Sequence, residues 1–223
     1  MSPPVRILML IALAVAFCLP TLSDKLTRDD YFHWAVLTGA PFAPTIPAQP
    51  PLSADQAAQA LFAFLRPGEG NSLEQARTAG LIPWWADERL QVEFWRPLAA
   101  LTHWLDYQWW PRSPLAMHWH SAIWHALLIG ALAFALVQLG LKGPALTIAL
   151  LLYTLDASHL VAVGWLANRN ILIAAALAFL ALAFYHRSAT SNHHGQLLLA
   201  GLLLLASLLS AEGGLAITGF LLA

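Results

Sequence analysis

Fifteen apolar residues, Ile171 to Tyr185, most restrict what this chain can fold into. The run is apolar enough to cross a bilayer, whose hydrocarbon core is about 30 Å thick. The stretch just before it, Asp156 to Asn170, holds an acid, a histidine, a tryptophan, an arginine and two asparagines. Polar groups are costly in hydrocarbon, so they gather where a function or a wet cavity keeps them. The chain must therefore carry a membrane segment with a polar cluster at one end.

The totals agree. Of 223 residues, 59% are hydrophobic and 10% charged, against about 25% charged in soluble domains. This composition implies an integral membrane protein. The net charge of -1 offers no basic surface for nucleic acid. Cys18 is the one cysteine, so it carries no information about redox compartment. Ten tryptophans suit a protein with much interfacial surface.

In chain order, residues 1–22 read as an N-terminal anchor helix or a signal peptide. The anchor reading is preferred, because no A-x-A site follows and Val15-Ala16-Phe17 makes a poor lipoprotein box before Cys18. Residues 23–115 form a long exported loop with short and interfacial helices. The loop holds a proline-rich connector (Pro41, Pro44, Pro47, Pro50, Pro51) that cannot be regular helix. Ser53 looks like the cap of a helix running to about Leu65, ended by Pro67-Gly68. Asn71-Ser72 starts another short helix, closed by Gly80. The aromatic stretch from Phe94 to Pro111 reads as a helix lying in the interface plane.

Residues 116–223 read as a membrane helix bundle. A helix over 116–141 is followed by a turn at Lys142-Gly143-Pro144. Residues 144–155 are too few to span alone. Either that helix continues past Asp156 and His159, or it stops at Asp156 and 159–167 is a separate interfacial or re-entrant piece. Stopping is preferred, because it keeps Asp156 away from mid-membrane. Residues 171–185 return, His186 to His194 form a short loop, and 196–209 go out again. Ser210 to Gly214 breaks the run, and 215–223 begins another apolar segment. Its nine residues imply a fragment, a truncated frame or one half of a larger bundle. The expected fold is an all-α polytopic membrane protein of about five to six membrane helices.

Arg6, Lys142 and Arg187 fall on one side, which the positive-inside rule makes cytoplasmic. Asp29, Asp30, Arg96, Asp106, His118, His120, Asp156, His159, Arg169 and Glu212 then fall on or near the exported side. Five separated stretches deliver acids and bases to one face, which implies a site at the outer rim of a cytoplasmic membrane.

These residues occur in an order that resembles a family. Asp29-Asp30 follows the first membrane helix, Trp95-Arg96-Pro97-Leu98 precedes Leu105-Asp106-Tyr107, His159, Trp165 and Arg169 precede a span, and Ser210-x-Glu212 ends a later one. The pattern resembles the N-terminal half of GT-C membrane glycosyltransferases, most of all the tetratricopeptide-repeat-containing O-mannosyltransferase-like branch. The family's His-Pro-x-His-x-Glu reads Asp156-Ala157-Ser158-His159-Leu160-Val161 here, and Ile171 and Ala211 replace an acid and a base. No tetratricopeptide repeats follow. The resemblance implies a partial GT-C fold, a polyprenyl-phosphate-linked sugar donor and an acceptor hydroxyl on the exported face. It leaves a divalent metal at Asp29 and Asp30 open. A second membrane protein supplying further helices is an implied partner, with membrane lipid.

Such chemistry needs a carboxylate near the acceptor hydroxyl and cations on the departing phosphate. Asp29 or Asp30 fits the first role. Arg169 fits the second through its planar donor fork, with Arg96 and His159 behind it. Asp156 and Glu212 are further polar candidates. Each also has a plain structural reading. The acid pair suits a solvated loop start, Arg169 a headgroup anchor, Arg96 a general lipid contact, Asp156 an N-cap, His159 a helix-start residue, and Glu212 a helix break. His118 and His120 point to nearly opposite helix faces, and His125 lies about 10 Å along the axis from His118, so no pair holds a metal without further ligands. Reporters inserted near residues 143 and 190 are expected to be accessible from the cytoplasm; exposure of either on the outside would overturn the orientation.

Overall fold

Long apolar runs become long helices, and a polar insertion separates the first of them from the rest. The computed structural model describes residues 3–23, 25–41, 49–66, 72–78, 80, 82–191 and 193–221. Two compact units result: Met1–Leu26 with Ser113–Ala223, and Thr27–Arg112. Helix is 73% of the structure. The first unit opens with α1 (Pro3–Cys18) and a 3-10 turn, Leu19–Thr21. Leu10, Ala14 and Cys18 are its buried residues, spaced four apart so that they share one face.

The second unit begins with α2 (Asp30–Thr38), closed by Gly39 in the left-handed conformation (φ 74°). Ser53 caps α3 (Ala54–Ala60), and its N–H donates to Gln56 Oε1 at 2.9 Å, as in a capping box. The helix expected to run to Leu65 stops at Ala60. Ala63–Leu65 instead forms β1, which follows Leu61 and Phe62 into the core. After α4 (Ser72–Thr78), β2 (Val92–Glu93) pairs antiparallel with β1. This small two-stranded sheet is an addition to a mostly helical fold. The aromatic-rich stretch Phe62–Leu65 favours a pleated, half-buried surface over another helical turn. The Phe94 N–H extends the pairing to Phe62 O at 3.1 Å. Pro97 then starts α5 (Pro97–Trp109), which buries Ala99, Ala100, His103 and Asp106. Pro44, Pro47, Pro67, Gly68 and Asn71 lie outside the described residues.

Back in the first unit, α6 (Pro114–Gln138) is followed by α7 (Gly143–Thr154), α8 (Ser158–Gly164), a 3-10 turn at Leu166–Asn168, and α9 (Arg169–Ser191). Then come α10 (His194–Leu208), a 3-10 stretch at Glu212–Ile217, and α11 (Thr218–Leu221). Contacts fix the directions. The start of α9 meets the start of α6 through Arg169 and Ser121, while Arg187 lies over Phe134 near the end of α6. So α6 and α9 run parallel. The α7–α8 pair, bent by 55°, must carry the chain back between them. It begins where Arg6 donates to Thr147 Oγ1 at 3.3 Å, and ends where Val163 O meets His118. The bent pair has the length and composition of a broken span or a re-entrant loop. The chain does stop its helix before Asp156.

The burial pattern is inverted relative to a soluble protein. Leu152, Leu198 and Leu8 are 72%, 66% and 64% exposed, while His118, Ser121, His125, Thr154, Arg169 and Ser207 are buried. An apolar exterior around a polar interior suits a lipid surround. Among the described residues, three helices are long and apolar enough to cross a membrane, or up to four if the bent pair is one span. Five to six were expected. The difference includes α10, with fifteen residues and about 22 Å of rise; after it come a 3-10 stretch and α11. The loop expected from His186 to His194 is also corrected, since α9 continues to Ser191. Thr190 and Ser191 hydroxyls donate back to the carbonyls of His186 and Arg187, so the polar composition prolongs the helix instead of ending it.

A Cβ at Gly39 would lie 2.3 Å from the Gln49 carbonyl oxygen. Gly39→Ala is therefore expected to destabilise the protein by about 1–3 kcal/mol, read as a lowered chemical-denaturation midpoint in detergent.

Candidate functional site

The polar interior of the first unit centres on Arg169. The 3-10 turn Leu166–Asn168 sets its backbone, and the side chain is fully buried at the first position of α9. Its Nε donates to Ser121 Oγ at 2.9 Å and its Nη2 to Met117 O at 3.0 Å. Nη1 lies 3.2 Å from His120 Nδ1. The other ring nitrogen of His120 accepts from Trp124 Nε1 at 3.1 Å. Guanidinium and indole only donate, and a neutral imidazole has one acceptor nitrogen. Arg169 and Trp124 therefore enter this network only as donors. Beside them His118 is fastened at both ring nitrogens, to Val163 O at 3.1 Å and Lys25 O at 3.3 Å.

An apolar groove of ≈ 470 Å³ adjoins this network. Ala122, Ala126 and Gly130 recur every four residues along α6 and leave the space, Ile11 of α1 closes one side, and Trp119 and Trp124 stand at one end. Trp124 thus lines the groove and bonds to His120, which in turn reaches Arg169. Sequence reasoning placed Arg169 and His120 on one face but did not join them, and it missed Ser121 and the Met117 carbonyl. The signal was the His120-Ser121 pair one turn inside an apolar helix, where polar residues need a reason.

His159 lies elsewhere in the same unit, with its ring 4.6 Å from that of Tyr153 and 5.1 Å from that of His125. It is not bonded to Arg169. Asp156 Oδ1 accepts from the Ser158 N–H at 2.8 Å in a local turn just before α8, whose N-cap position is Ala157. Glu212 is exposed at the start of the last 3-10 stretch. Among the described residues no three His, Cys, Asp or Glu side chains gather as a metal site.

Within the second unit the acid pair divides. Asp30 is buried, and its Oδ2 accepts from the Thr27 N–H at 3.0 Å and the Thr27 hydroxyl at 3.2 Å. Asp29 is half-buried at the N-cap of α2 and makes no capping bond. Burial pushes its carboxyl above its ordinary pKa, with Arg28 pulling the other way. Arg28 itself has φ 50°, a left-handed conformation uncommon outside glycine. Arg96 stacks its guanidinium 4.3 Å above the ring of Phe94 and 5.3 Å from that of Phe62. His33 and His103 face each other at 5.1 Å in the core of this unit.

No protein-family profile, curated protein or solved structure matches the chain.

The raised carboxyl of Asp29 means that the folded state binds this proton more tightly than the unfolded chain. The resulting penalty is absent below the ordinary value of 3.8 and grows as pH rises through the folded pKa. Asp29→Asn is therefore expected to match the parent in thermal stability at about pH 3 and exceed it at about pH 7. A parent that melts higher than the variant at neutral pH would contradict the assignment.

Proposed function

We propose that this chain is a membrane glycosyltransferase of GT-C type, moving a sugar from a polyprenyl-phosphate donor to an acceptor hydroxyl on the exported face of a cytoplasmic membrane. One observation carries the reading: a donor-rich cluster around a buried arginine adjoins an apolar groove that suits an isoprenoid chain. A lipid phosphate has the same two parts, an anionic head and an apolar tail.

In this reading the tail occupies the groove beside Trp124. Arg169 and His120 receive the phosphate oxygens. The acceptor oxygen attacks the anomeric carbon, the bond from that carbon to the phosphate oxygen breaks, and the electron pair leaves with the phosphate. The acceptor's proton passes to a carboxylate. Asp29 suits that role better than Asp30, because it is partly exposed and burial raises its basicity. Arg96 and His159 are secondary in this scheme, and Asp156 serves structure.

A second reading, a non-catalytic polytopic membrane protein, is favoured by the bonding of Arg169. Its donors already rest on Ser121 and Met117, as a purely structural arginine's would.

The readings separate in reconstituted membranes supplied with polyprenyl-phosphate mannose. Asp29→Asn is expected to lower sugar transfer by about 10²–10⁴-fold while leaving quenching of tryptophan fluorescence by polyprenyl phosphate intact. Arg169→Lys is expected to weaken that quenching by about tenfold. Transfer that survives both substitutions, or that the parent never shows, supports the second reading.

A further inference from the structure

The opposite end of the first unit carries a separate polar site. Arg187 lies eighteen positions after Arg169 on α9, or about 27 Å along the axis. That is close to the thickness of a hydrocarbon core. Arg187 therefore stands at headgroup depth on the other side of any bilayer that α9 crosses. Its guanidinium sits 5.9 Å from the ring of Phe184 and 6.0 Å from that of Phe134. Among the described residues it makes no hydrogen bond or ion pair.

The surroundings are built from polar groups. An open groove of ≈ 570 Å³ is lined by Gln138, Arg187, Thr190, Ser191, His193 and Gln196. These come from the end of α6, the end of α9 and the start of α10. The Ser191 hydroxyl proton goes to the Arg187 carbonyl, so its 3.5 Å approach to Gln196 takes at most one of that amide's two N–H groups and leaves the other for a ligand. The side chain of His193 caps nothing. The described carboxylates of this unit are Asp156 and Glu212, and both lie toward the Arg169 end. Arg6 and Lys142 share the Arg187 end, so among the described residues of this unit the cations there have no carboxylate beside them.

We propose that this groove binds the phosphate of an anionic phospholipid, with Arg187 as its clamp and the Gln138 and Gln196 amides as further donors. The guanidinium fork matches two phosphate oxygens. The flanking phenylalanines hold its stem, and the lipid's acyl chains run along the exposed leucines of α10. The inference stands apart from the sugar-transfer reading, since it uses neither Arg169 nor the acids.

Native mass spectrometry of the whole chain in neutral detergent tests it. Phosphatidylglycerol is expected to bind about tenfold more tightly than phosphatidylcholine, and Arg187→Gln is expected to remove that preference. Arg187→Lys is expected to keep part of it, since charge remains and the fork is lost. Should Arg187→Gln fail to fold, Gln196→Leu is expected to reduce the preference about threefold. Inorganic phosphate at equal concentration is expected neither to bind measurably nor to displace the lipid. Equal affinity for the two lipids, an unchanged preference in both variants, or displacement by inorganic phosphate would each overturn the proposal.

Discussion

A charged side chain inside a membrane bundle must find its partners within the bundle. Arg169 does so by reaching from the first turn of α9 to the first turns of α6, some fifty positions earlier in the chain. That single obligation sets the topology. It places the starts of two long helices side by side, so the helices run parallel. Whatever lies between them must return the chain across the full depth. The α7–α8 pair does this in two pieces, and the Asp156 carboxylate accepts from the Ser158 N–H at the break. Removing the arginine's need for partners would leave the register of α6 against α9 to apolar packing alone, which specifies position less sharply.

The same packing gives the two ends of the first unit different chemistry. One end gathers histidines, serines and the buried guanidinium around an apolar groove. The other gathers Arg6, Lys142 and Arg187 with no carboxylate beside them among the described residues of this unit. At the first, the charge is sheltered beside an apolar groove. At the second, it lies open on a polar groove. The sugar-transfer reading draws on the first end and the lipid-binding reading on the second.

Much of this was legible before any coordinates. The apolar runs located α1, α6, α9 and α10, and the cost of an acid at mid-membrane located the break at Asp156. The errors had physical sources. Apolar runs of twelve to fifteen residues look alike whether they span or stop short, so the number of crossings was overestimated. Serine and threonine at 188–191 read as loop formers, yet their hydroxyls bonded to the preceding helical turn. Strands of two and three residues are too short for alternation to register, so β1 and β2 were missed. The shell of Arg169 was hidden because its members lie far away in sequence. Asp29 and Asp30 are indistinguishable as letters; only the bonds from Thr27 to Asp30 separate a tethered acid from an available one.

The bundle is assembled from discontinuous sequence: α1 lies antiparallel to α6, and Thr27–Arg112 intervenes between them in the chain. Lys25 is pinned to His118, five residues past Ser113, so the insertion leaves and re-enters the bundle at one rim. A segment hung from two adjacent posts can be lengthened, shortened or exchanged without moving the posts. The helical frame and the inserted unit are thus free to diverge at separate rates, and a single frame can carry many different heads.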